Sequence, residues 1–228
     1  MKVIIGFLDY CYAAILKVAS FFVRQNPTRL NPDLRTVIVV PGVYETSLYF
    51  RNLSKTLQDN YNVVHAQAIY GHKKNMGIQS TAKHISEYID CKKLTEVVLV
   101  GHSSGGLVAV KTLTLNDSRI AKVITIAAPF HGVLNGHLLR TKIVRELLPS
   151  STLIKSFSTL PESILSKVTS IYPSFDNQVW SKRGSYLEGA QNMRLNTKGH
   201  HLILRSDELS RTIAKALSQA TSQQAERY

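Results

Sequence analysis

A three-layer α/β domain, with a mostly parallel central sheet of about six strands and an extra N-terminal helix, is the fold class this sequence predicts. Three observations predict it. From residue 35 onward, short β-rich apolar runs alternate with longer helix-patterned stretches, and such alternation builds a parallel sheet covered by helices on both faces. The chain has 228 residues, 44% of them hydrophobic, enough for one sizeable core and short for two catalytic domains. The decapeptide VVLVGHSSGG, residues 97–106, runs from a strand-like segment into a glycine-boxed serine and on into a helical pattern.

The first element is the apolar segment VIIGFLDYCYAAILKVASFFV, residues 3–23, within a helical unit over 1–25. Lys2, Gly6, Asp9, Ala13, Lys17, Ser20 and Arg24 follow one another at intervals of 4, 3, 4, 4, 3 and 4. That is the period of a helix, so the polar and small residues form one narrow stripe on an oily cylinder. Three placements follow: lying in a membrane interface, spanning a bilayer with the stripe toward a partner, or packing as an extra helix on its own domain. So wide an apolar surface favours membrane contact. Asp9 interrupts the run and no small-x-small site closes it, which argues against a signal peptide. If the segment spans, Arg24, Arg29 and Arg35 behind it, against Lys2 ahead, leave the domain on the cytoplasmic side. The alternative is a secreted or periplasmic protein.

NPTRLNPDL, residues 26–34, reads as a linker. The globular domain then occupies 35–220, with strand candidates TVIVV (36–40), NVVHA (62–66), EVVLV (96–100), KVITIA (122–127), VTSIY (168–172) and NMRL (192–195). Helical patterns lie near 47–59, 78–90, 104–115 and 206–219, the last with Ser206 or Asp207 as its cap. The stretch 134–166 reads either as a helical lid or as peripheral helices.

Several function classes recede. Lys and Arg outnumber Asp and Glu by 28 to 15, a net charge of +13 that favours anionic partners. The excess is spread along the chain, and neither zinc-finger spacing nor an aromatic RNA-binding motif accompanies it, so nucleic acid is not the expected partner. Cys11 and Cys91 lack ligand spacing and read as two free thiols. The eight histidines are scattered, and the adjacent His200 and His201 cannot readily face one ion together, so no metal site is expected.

In open α/β sheets, ligands bind beyond the carboxyl ends of the strands, so chemistry is expected just after strands. Gly101-His102-Ser103-Ser104-Gly105 is G-x-S-x-G between a strand and a helix, a pattern that lifts a serine hydroxyl into the open on a strained bend. A Cβ at 101 or 105 would collide with the neighbouring strand or helix. Ser103 is the expected nucleophile. The first N–H groups of the following helix, Ser104's among them, face an oxygen beside it. Such a serine needs a base, oriented in turn by an acid, and the chain order after the bend is acid, then histidine. Of Asp117, Glu146, Glu162, Asp176 and Glu188, only Asp176 follows soon after a strand, leaving Glu188 as reserve. Gly199-His200 reads as a turn that swings an imidazole over the sheet, so His200 is preferred to His201 as base, the other being a surface or packing residue. Val43, after Pro41-Gly42, supplies the second backbone donor to an oxyanion. His131, ahead of the acid in chain order, reads as a loop-shaping residue.

Five segments in this order, VVPGVY, GHSSGG, IAAPFHG, SIYPSFDNQV and GHHLILRS, resemble the α/β-hydrolase fold and, within it, the small bacterial lipases. The resemblance covers most of 35–219. It implies an esterase or lipase acting without cofactor, with Ser103, Asp176 and His200 as triad and the N–H groups of Val43 and Ser104 as oxyanion hole. Pro41 stands where such lipases usually write histidine, which keeps the backbone donor but changes the loop's support. The expected activity is hydrolysis of lipid-like carboxylic esters through an acyl-enzyme. An acyltransferase with the same triad, or a catalytically silent binding protein of this fold, is the alternative.

Overall fold

The computed structural model describes residues 2–20, 29–71, 76–133, 142–179 and 184–225. Six strands, β1 (Thr36–Val40), β2 (Asn62–His65), β3 (Val97–His102), β4 (Ile120–Ile126), β5 (Val168–Phe175) and β6 (Gln191–Lys198), form one sheet in the order β2-β1-β3-β4-β5-β6. Every pairing is parallel. β1 and β3 are buried at every position, because a central parallel strand is covered on both faces. Their continuous Val/Ile/Leu runs follow from that. Ile38 and Val40 enter a cluster with Ile85, Leu99 and Leu107 on one face, while Val37 and Val39 join Phe50, Leu53 and Val100 on the other. Each such side chain contributes about 1.5–3 kcal/mol of burial.

Helices α4 (Ile78–Cys91) and α5 (Ser104–Leu115) cover the first face, and α2 (Arg51–Leu57) and α9 (Asp207–Ala225) the second. The pattern near 47–59 resolves into a single-turn 3-10 segment, Ser47–Phe50, followed by α2. Ala66, expected in a strand, instead opens a short helix α3 (Ala66–Tyr70). β5 and β6 run three residues further than their most apolar stretches, because polar residues are tolerated toward the edge: β6 has a single buried position, Leu195. The Ser206 hydroxyl accepts the Glu208 N–H at 3.2 Å and so caps α9.

Of the 134–166 stretch, 134–141 lie outside the described residues. The remainder forms α6 (Lys142–Glu146), α7 (Thr152–Ser156) and α8 (Glu162–Leu165), whose Val144, Leu153, Ile154 and Ile164 are buried. Of the expected linker, residues 26–28 also lie outside. The part from Asn31 is pinned to the sheet edge, for Asn62 Nδ2 donates to the carbonyls of Asn31 and Leu34 at 2.7 and 2.8 Å.

The N-terminal helix α1 (Lys2–Ala19) corrects one expectation. Among the described residues no helix is long and apolar enough to cross a membrane, so the spanning placement, and the cytoplasmic orientation that depended on it, are not supported. α1 packs on the domain with Gly6, Asp9 and Ala13 of its stripe inward. Asp9 is fully buried, Tyr49 donates its hydroxyl to the Ala13 carbonyl at 2.7 Å, and Ala13 and Leu16 rest on the second core cluster. Val3, Ile4, Phe7, Leu8, Tyr10, Ile15 and Val18 face outward, each more than half exposed.

Candidate active site

Parallel pairing sets the carboxyl ends of the strands side by side, with Val40 beside Gly101 and His102 beside Ile126. The segments that follow β1, β3, β5 and β6 therefore meet at one rim. Ser103 sits between β3 and α5 at φ 52° and ψ −128°, a conformation unfavourable for any residue with a Cβ. The bend is held by the Ser103 N–H, donated to the Ile126 carbonyl at 2.8 Å. A Cβ on Gly101 would strike the Gly105 carbonyl, and one on Gly105 the Val40 carbonyl, so both glycines are required by close approach. Ser103 itself is partly exposed.

Asp176 and His200 are brought together directly. His200 Nδ1 lies 2.9 Å from Asp176 Oδ2 and 3.1 Å from Oδ1. A carboxylate only accepts, so Nδ1 carries the proton and the lone pair resides on Nε2. Asp176 Oδ1 is itself oriented by the N–H groups of Gln178 and Val179 at 2.8 and 2.9 Å. Burial alone pushes the Asp176 carboxyl up, but the His200 charge and hydrogen bond and those two N–H donors together hold it below the usual carboxylate range. Burial dominates at His200 and keeps its imidazole below the ordinary value, with His102 and His201 adding to the effect and Asp176 opposing it. The pair thus offers an ionised acid and a neutral imidazole near neutral pH. Glu188, the reserve acid, is exposed on the turn before β6. His131 is exposed, its Nε2 3.1 Å from the Tyr186 carbonyl.

Two further pairs surround this one, and reasoning from sequence missed both. His102, the residue before Ser103, is fully buried, and its ring centroid is 4.7 Å from that of His200. Its Nε2 donates to the His200 carbonyl at 2.9 Å, and its Nδ1 lies 2.6 Å from Glu45 Oε1. Burial opposes charge on both partners, yet the attraction between them prevails, holding Glu45 below the usual carboxylate range and His102 above the usual imidazole value. Glu45 Oε2 also accepts the Gly42 N–H at 2.7 Å. It thereby braces the loop after β1 that carries Pro41 and Gly42.

The second pair joins His201 to α1. His201 Nδ1 lies 2.9 Å from Asp9 Oδ2, and His201 is nearly buried rather than a surface residue. Burial pushes the Asp9 carboxyl up, but hydrogen bonds from His201, Leu202 and Asn177 and the His201 charge hold it below its usual range. The sequence carried one signal for Asp9: it is the sole acid on an otherwise oily helix.

Gly42 lies against Ser103, since a Cβ there would stand 3.0 Å from Ser103 Cβ. The Val43 N–H, expected to face an oxyanion, donates to Ser104 Oγ at 3.1 Å. Ser104 opens α5, so its N–H has no partner within that helix. Glu45, His102 and His200 offer potential metal-ligand atoms within 4.8 Å of one another, the grouping that the scattered histidines did not predict. Both His102 nitrogens and His200 Nδ1 are engaged as hydrogen-bond donors, which leaves His102 no lone pair for an ion, so the arrangement fits a proton network better than a metal centre. A cavity of about 1230 Å³ lies on the α1 side of Asp176, lined by Val3, Phe7, Tyr10, Phe175 and Tyr186 among others. Neither Ser103 nor His200 lines it.

A family model described as a PGAP1-like alpha/beta domain matches residues 66–135, from α3 past the serine bend to the loop after β4. No curated protein matches the chain in sequence. Among solved structures, a putative lipase from Acinetobacter baumannii superposes with a TM-score of 0.63 at 12% identity, covering 85% of this chain and 86% of that one. A thermophilic esterase from Thermogutta terrifontis gives 0.61 at 13% identity over 87% and 99%. A bacterial membrane phospholipase A gives 0.64 at 12% identity over 93% of each chain. At such low identity the shared property is the architecture, and by it this chain is an α/β-hydrolase-fold protein with lipases and esterases as structural neighbours.

Proposed function

We propose that the protein is a serine carboxylic-ester hydrolase acting on lipid-like esters, with Ser103 as nucleophile, His200 as general base and Asp176 as the acid that orients it. The observation that carries this reading is the buried His200–Asp176 pair, 2.9 Å apart, at the same sheet rim as a serine held in a strained strand-to-helix bend. His200 Nε2 takes the Ser103 proton as Oγ attacks the ester carbonyl. The tetrahedral oxyanion accepts from the Ser104 N–H and from the Val43 N–H, which the rotatable Ser104 hydroxyl can yield. His200 then protonates the leaving alcohol, and the acyl-enzyme is hydrolysed by a water that His200 deprotonates. No step requires a cofactor.

A fluorophosphonate probe tests this. It is expected to form one covalent adduct, located at Ser103 by peptide mass spectrometry. The base acts only when neutral and its pKa lies below the ordinary value of about 6.5. Labelling should therefore fall as pH falls, and reach half of its plateau only at a pH below about 6.5. An adduct elsewhere, or none, overturns the proposal.

The outward face of α1 supports a lipid surface as the place of action. Seven apolar side chains, each more than half exposed, sit on a protein of net charge +13, a combination suited to an anionic membrane interface. Burying one such side chain in acyl chains contributes about 1.5–3 kcal/mol. Replacing Ile4, Phe7 and Leu8 together by serine should then weaken partitioning onto phosphatidylglycerol-containing vesicles by about tenfold or more. Sedimentation with vesicles measures this, and unchanged partitioning sinks the idea.

A further inference from the structure

An oily helix that docked only for stability would turn its apolar face to the core. α1 does the reverse, presenting its sole acid to the domain and seven large apolar residues to solvent. The buried carboxylate is aimed at one target. Asp9 Oδ1 accepts the backbone N–H groups of His201 and Leu202 at 2.7 and 2.8 Å. Oδ2 accepts from His201 Nδ1 at 2.9 Å and from Asn177 Nδ2 at 3.1 Å. The other end of the Asn177 amide, Oδ1, accepts the His200 N–H at 2.9 Å. Asn177 adjoins Asp176, so one carboxylate on α1 grips the backbone of three consecutive residues, 200–202, and ties it to the acid loop.

Four donors converge on two oxygens, which calls for a group that only accepts. An amide at position 9 would turn its NH2 toward at least one of those donors. Gly199, at φ 101°, leaves the space: a Cβ there would come within 2.9 Å of Asp9 Oδ1. The loop is therefore shaped around the carboxylate as well as gripped by it.

From this we infer that Asp9 is a positioning residue for His200, acting through Asn177 and the 201–202 backbone, so that the N-terminal helix is a working part of the site. The inference rests on the ester-hydrolase reading for its kinetic consequence, while its structural consequence stands apart from that reading. Asp9→Asn in the full chain tests both. Amide hydrogen exchange at His200, His201 and Leu202 should accelerate about tenfold or more, with the amides of Val98–Val100 unchanged. For p-nitrophenyl butyrate, kcat per fluorophosphonate-titrated site should fall about ten- to a hundredfold with KM within about threefold, because a misplaced base slows chemistry and not binding.

Unchanged exchange at 200–202, or kcat per site within about twofold of wild type, overturns the inference whatever happens to the melting temperature. Should Asp9→Asn not fold, Asn177→Leu cuts the link to His200 and leaves three of the four Asp9 hydrogen bonds in place. The same kcat loss with steady KM is expected there, and a wild-type kcat again overturns it. If the wild type neither labels nor hydrolyses any ester, the hydrolase reading fails, and the exchange measurement alone decides the role of Asp9.

Discussion

Ser103→Ala and His200→Ala are each expected to lower kcat toward a p-nitrophenyl ester by about 10⁶-fold, and the double variant to lose no more than either single one. The reason is mechanical. A serine hydroxyl attacks only as its proton leaves, and His200 Nε2 has a proton to take only if the hydroxyl is there. Removing either partner removes the whole step, so the losses do not add. A residual acceleration of about 10³ over water should persist, since the backbone donors at Val43 and Ser104 would still stabilise an oxyanion formed by attack of water. Ser103→Ala keeps a Cβ in the same strained conformation and should leave the fold intact, whereas His200→Ala empties a buried position and calls for a check by circular dichroism. Losses of less than about a hundredfold, or losses that add in the double variant, would remove the case for Ser103 and His200 as a catalytic unit.

The strands and the serine bend were legible because their signals are local. Central parallel strands must be apolar throughout, and a tight strand-to-helix bend needs its glycines at fixed spacing, so TVIVV and GHSSGG announce themselves within a few residues. Asp176 and His200, which lie 2.9 Å apart, could be picked out and ordered along the chain by the logic of the bend. Asp9 and Glu45 could not be read in this way. A carboxylate acquires meaning from what it touches, and Asp9 touches residues 192 and 193 positions away. Its place on the small-residue stripe of α1 was visible, but a stripe can face a domain as readily as a membrane partner. Glu45 stands only three residues beyond Gly42, yet its partner His102 is supplied by β3, 57 positions on.

These carboxylates divide the work of holding the rim. Glu45 binds the Gly42 N–H, and through His102 reaches the His200 carbonyl; Asp9 reaches the His200 N–H through Asn177. The peptide groups on both sides of His200 are thus fixed from opposite directions, one by the loop after β1 and one by α1. If His200 is the base proposed above, an imidazole held in this way would lose little freedom on reaching the transition state, which is where positioning has its effect on rate.

Asp176→Asn is expected to lower kcat by about 10⁴-fold while leaving the protein folded. Oδ1 of residue 176 accepts the Gln178 and Val179 N–H groups, and an asparagine keeps those bonds only by placing its own oxygen there. Its NH2 then occupies the Oδ2 position, 2.9 Å from His200 Nδ1, and a donor faces a donor. His200 escapes by moving its proton to Nε2, the atom that must receive the Ser103 proton. The base is still present in the wrong tautomer. Structure should therefore survive better than rate: the thermal midpoint of Asp176→Asn should stay much closer to wild type than that of His200→Ala. Steady-state kinetics with parallel thermal melts decides the matter, and a loss of less than about tenfold in kcat would mean that Asp176 does not set the tautomer of the base.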